Sequence, residues 1–143
     1  MKTWSLLYGM VWAAFLQILV ILFPVTDAIS TGVHMVLGAG ILGMAYLAHG
    51  RVAASQCPPR IKRVTSTTFK LAVLQAALGV ALFAVMGAGD AYDSVQLAIR
   101  FLHAVNALAI ITQASSSATG FDMWEEKEIG SPPPEPAARS LEA

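Results

Sequence analysis

Four stretches of the chain, at about 4–23, 29–48, 71–88 and 95–115, are almost free of charge, and the charged residues crowd into the gaps between them. A bilayer imposes this pattern, because a helix needs about 20 mostly apolar residues to cross the hydrocarbon layer. Over the whole chain 56% of residues are hydrophobic and 13% are charged, where a soluble domain carries roughly 25% charged residues. The expected fold class is therefore all-α: an integral membrane up-down four-helix bundle over residues 1–120. A cytoplasmic acidic and Pro-rich tail, disordered and without a core of its own, is expected over 121–143. The formal net charge is zero, and nothing in the composition points to nucleic acid, whose binding needs a strongly basic domain. The bilayer is the first partner, and other membrane subunits or further copies of the chain are expected beside it.

Local signals mark the ends of the spans. Pro24 closes the first, since proline cannot continue the helical ladder, and Gly87, Gly89 and Asp90 close the third. Thr26-Asp27-Ala28 offers a small-residue cleavage site. However, the apolar run before it is nearer 20 residues than the 7–15 of a signal peptide, and it is retained here as a span. Between spans 2 and 3 stand Arg51, Arg60, Lys62, Arg63 and Lys70 without an acid, while the other two links carry Asp27, Asp90 and Asp93. The positive-inside rule then predicts a multi-pass protein of the cytoplasmic membrane with both termini and the 2–3 link inside. The single cysteine, Cys57, reads as a free loop thiol, since no second cysteine exists to pair with it.

The two halves look alike. Leu16-Gln17-Ile18-Leu19-Val20 in span 1 corresponds to Leu74-Gln75-Ala76-Ala77-Leu78 in span 3. Each half then crosses an acidic link and enters a helix with one histidine near its outer end, His34 or His103. This predicts two hairpins repeated in parallel about an axis along the membrane normal.

Ionisable groups inside a membrane are costly, and each is a functional candidate. Three qualify: His34, Arg100 and His103. His49, beside Gly50 and Arg51, reads as interfacial. Helices 2 and 4 of an up-down bundle are diagonal partners, so His34 and His103 can face each other across its centre. A metal ion alone wants three or four ligands, whereas a haem iron takes two axial ones. Gly38 one turn below His34, Gly79 one turn after Gln75, and Ala104 and Ala107 beside His103 leave room for a flat ring. Arg100 stands three residues before His103, placed to pair with a propionate, and Asn106 is placed to hydrogen-bond a histidine or the backbone. Taken singly these residues read as helix packing, small residues and snorkelling. Together they predict a b-type haem with His34 and His103 as its metal ligands and Arg100, Gly38, Gly79 and Asn106 around it.

Leu74-Gln75-Ala76-Ala77-Leu78-Gly79-Val80, a link, and Leu102-His103-Ala104 resemble the third and fourth helices of a haem A synthase half. The resemblance covers roughly residues 10–115. It implies a four-helix unit with haem-ligating histidines on its second and fourth helices, matching His34 and His103. Where that family's catalytic half has a glutamate one turn before the first histidine and an arginine after it, this chain has Thr31 and Met35. The cysteine-bearing outer loop of some members is absent. The chain is similar as well to small four-helix membrane proteins with histidines on helices 2 and 4.

Three functions follow as expectations. The first is a bis-histidine haem protein that transfers electrons as a subunit of a membrane respiratory or redox complex, with no catalytic residue of its own. The second is a haem A synthase-like enzyme acting on haem, and the third a haem-free structural or assembly subunit.

Overall fold

The computed structural model describes residues 3–22, 27–86 and 93–130. They form four helices in chain order: α1 (Thr3–Leu22), α2 (Asp27–Ala54), α3 (Pro59–Met86) and α4 (Asp93–Gly130). Each contains a window long and apolar enough to cross a membrane. Each helix packs on its two neighbours in the ring α1–α2–α3–α4–α1, so α2 and α4 lie on a diagonal of an up-down bundle.

The link between α2 and α3 is built from local bonds. The Ser55 amide donates to the carbonyls of Arg51 and Val52, at 3.1 and 3.2 Å. The Ser55 hydroxyl donates to Val52 O at 2.8 Å. Lys62 Nζ donates to Ala53 O at 3.1 Å, putting a cation on the carbonyl end of α2, where the helix dipole favours it. Pro59 opens α3 at the one helical position that suits a residue with no amide hydrogen.

The helices outrun the predicted spans at this end of the bundle. Residues 49–54 continue α2, 59–70 precede the apolar part of α3, and 116–130 continue α4. Charge loss marks where lipid can begin, not where a helix must stop, and these segments keep helix-forming residues and a packed face. Thr65 and Thr68 satisfy their hydroxyls on Ile61 O and Val64 O, both at 2.9 Å, and so stay buried inside α3. Residues 121–130, assigned above to the extended tail, are instead the last turns of α4. Phe121 is 5% exposed and meets Trp124 edge to face at 5.3 Å, and a Cβ at Gly120 would sit 3.6 Å from Ile61 of α3. The tail from Ser131 onward lies outside the described residues, as do the stop signals at Pro24 and Gly87–Asp90.

The core is unevenly distributed. Leu7, Met10 and Ala14 of α1 pack with Ile41, Ala45, Ala48 and Val52 of α2, Ala72 of α3, and Ala114, Ala118 and Phe121 of α4. Cys57 belongs to the same cluster at 3% exposure, its Sγ 3.8 Å from Val52 O. It is a free thiol in a link, as read, but a buried one. Among the described residues of the other half of the bundle, 15–22, 29–40, 73–86 and 94–105, none is buried.

Candidate functional site

In that half, His34 of α2 and His103 of α4 approach across the diagonal. Their ring centres are 6.1 Å apart and the ring planes are inclined by 49°. Both rings are half-buried, and Nδ1 of each is buried with no hydrogen-bond partner. An imidazole nitrogen kept from water and left unbonded is costly. A partner that reached both nitrogens would relieve the two costs together. Two imidazoles that each hold one metal through a nitrogen at about 2 Å have ring centres roughly 6 Å apart, and the observed spacing fits that arrangement. Among the described residues there is no cluster of three or more His, Cys, Asp or Glu able to hold a metal ion. A planar group that brings its own further ligands would need only two from the protein, the number that His34 and His103 would supply.

The residues around the pair divide by what they touch. Gln17 of α1 donates from Nε2 to the carbonyl of His34 at 2.8 Å. A Cβ at Gly38 would lie 3.1 Å from that same nitrogen, so glycine is what lets the amide reach the turn that carries His34. Gly79 of α3 plays the matching part for the other ring: a Cβ there would meet His103 Cε1 at 3.4 Å. Both glycines thus make room for the protein's own Gln17 and His103, which is the close-approach role of small residues between membrane helices.

Asn106 faces α3 rather than the histidines. Its Nδ2 donates to Leu71 O at 2.9 Å and to Gln75 Oε1 at 2.7 Å. Gln17 and Gln75, the repeated glutamines, therefore each tie the first helix of a hairpin to the second, one to the backbone at a histidine and the other through an asparagine one turn from it. Arg100 is exposed and forms no ion pair among the described residues; the side chains of Asp90 and Asp93 are outside them. Thr31 and Met35 are exposed. His49 lies apart from this site, stacked on Phe69 of α3 at 5.4 Å with an interplanar angle of 5°.

The buried polar residues Thr65, Thr68 and Ser117 were not singled out from the sequence, and they lie far from the histidines along the bundle. The available signal was spacing: Thr65, Thr68 and Ala72 recur on one face of α3, and Ser117 stands beside Ala114 and Ala118 on α4.

Fold and site together define a multi-pass membrane protein, a four-helix bundle with a histidine pair across its diagonal. Compared with protein-family models, with the curated proteins and with the solved structures, the chain matches none.

Proposed function

We propose that the chain is a b-type haem protein of the cytoplasmic membrane, with His34 and His103 as axial ligands. We assign it an electron-transfer role within a membrane redox complex. The observation that carries this reading is the pair itself: two imidazoles from diagonal helices, 6.1 Å apart, each with a buried and unpartnered Nδ1. When bound, the haem supplies one-electron chemistry, and ligands and surrounding polarity set its potential. His34 and His103 hold the group, the Gln17 bond fixes the backbone under one ligand, and Gly79 gives the other ring its seat. Arg100 stands on the outward side of His103 as a counter-charge for a propionate. The basic α2–α3 link supports a cytoplasmic placement of that end and of both termini.

The likeness to haem A synthase halves fits the same ligand pair, but an enzyme of that type draws on a glutamate where this chain has Thr31. A haem-free structural subunit is favoured by one observation, that the notches at Gly38 and Gly79 hold Gln17 and His103. A pyridine haemochrome assay on purified protein separates these readings. About one haem b per chain is expected; protein that stays haem-free after growth with added haem precursor contradicts the proposal.

A further inference from the structure

The exposed cations of α3 form a stripe at one level of the bundle. Arg60, Arg63 and Lys70 are all exposed. At 3.6 residues per turn they fall, with Thr67, within about 80° of arc. The opposite face of the same turns carries Thr65, Thr68 and Ala72, which are buried against the bundle. Lys62 is engaged with the end of α2 and is not part of the stripe.

The level of the stripe follows from the packing. The 20 residues of α1 span about 30 Å, the thickness of the hydrocarbon layer. Gly9 of α1 lies against Met44 of α2, and His49 of α2 stacks on Phe69 of α3. In antiparallel helices these contacts put Thr3, Gly50 and Thr68 at about one height. Lys70 then sits about 3 Å inside the hydrocarbon edge, Arg63 about 8 Å outside it and Arg60 about 12 Å outside. Phospholipid headgroups occupy roughly the first 5–8 Å beyond that edge, and long cationic side chains reach several ångströms along the helix. The face continues into the membrane through Leu74 and Ala77, both exposed, which offer apolar surface for acyl chains.

We propose that this stripe binds the headgroup of an anionic phospholipid, with the acyl chains lying along α3 below Lys70. Charge complementarity and depth both select a lipid: Lys70, reaching outward, and Arg63 bracket the headgroup layer, Arg60 stands just beyond it and adds to the attracting field, and the helix below them is apolar. The acidic end of α4 in a second copy, with Asp122, Glu125, Glu126 and Glu128, is the competing occupant.

The test uses the purified full chain in neutral detergent, with phosphatidylglycerol or phosphatidylcholine titrated in and bound lipid counted by native mass spectrometry. Each cation near an anionic surface contributes about fivefold. Wild type should prefer phosphatidylglycerol, and the triple variant Arg60→Gln, Arg63→Gln, Lys70→Gln should lose on the order of a hundredfold of that preference. Circular dichroism and elution volume establish that the variant keeps its fold, and Arg63→Lys should retain most of the preference if charge is what matters. A wild type without preference, or a folded triple variant that keeps it, overturns the proposal. Salt-sensitive self-association that the triple variant abolishes, with no lipid preference in wild type, assigns the stripe to a second copy instead.

Discussion

The side-chain amide of Gln17 donates to the backbone carbonyl of His34 at 2.8 Å, in the space that glycine leaves at position 38. Replacing Gln17 by leucine removes that bond and should cost about 0.5–1.5 kcal/mol of stability. Gly38→Ala places a methyl group against the same amide and should give a similar loss. Because both act through one contact, the double variant should lose little more than either single one. Thermal unfolding in detergent measures this, and additive losses would show that the two act separately.

Asn106 joins α4 to α3 through two bonds, to Leu71 O and Gln75 Oε1, and is 8% exposed. Asn106→Leu should therefore destabilise by about 1–2 kcal/mol, more than Gln75→Leu, which leaves the bond to Leu71 in place. Equal melting temperatures for the two variants would show that the bond to Leu71 adds nothing.

Phe121 tests the extent of α4. Its ring is buried beyond the membrane-length part of the helix. Phe121→Ala should cost about 3 kcal/mol. Met123→Ala, two residues on and 55% exposed, should cost under about 0.5 kcal/mol. A harmless Phe121→Ala would mean that these turns do not pack on α3.

Why the spans were legible and their ends were not is a matter of which force writes which signal. Apolar content reports the lipid, so four spans stand out. The extra turns of α2, α3 and α4 hold charged and hydroxyl residues, and hydropathy alone cuts them off. A helical signal was present there: Ile110, Ala114, Ala118 and Phe121 recur at the spacing of one helix face, and all four are buried. The diagonal placement of His34 and His103 follows from topology alone. Their mutual approach depends on helix rotation, which the sequence does not express. In the sequence the glycines read as room for a ring, but a glycine's spacing does not say which atom will fill its notch. That Asn106 turns toward Gln75 is likewise set by the rotation of α4.

Orientation can be read by chemical labelling, though not at Cys57, whose 3% exposure slows any reagent. In a Cys57→Ser background, Gln56→Cys introduces a thiol at an exposed neighbour. A membrane-impermeant maleimide should label it in inverted vesicles and leave it untouched in intact cells. Labelling from outside would reverse the assignment of both termini.

On the proposed haem reading, Arg100 would bear on potential rather than on binding. A positive charge near the iron favours the reduced state, so Arg100→Leu should keep the haem and lower its midpoint potential, as a redox titration followed in the visible region would read. An unchanged potential would remove Arg100 from the site, in keeping with an exposed side chain that simply reaches the interface.

The central claim is that His34 and His103 share one iron. The direct measurement is the reduced-minus-oxidised visible spectrum of the purified chain beside its His34→Ala and His103→Ala variants, each checked for fold by circular dichroism. Wild type should show a low-spin, six-coordinate b-type spectrum, and each variant should turn high-spin or lose the haem. A wild type without haem, or variants that keep the low-spin spectrum, would contradict the account and leave the two rings as packing partners in a structural subunit.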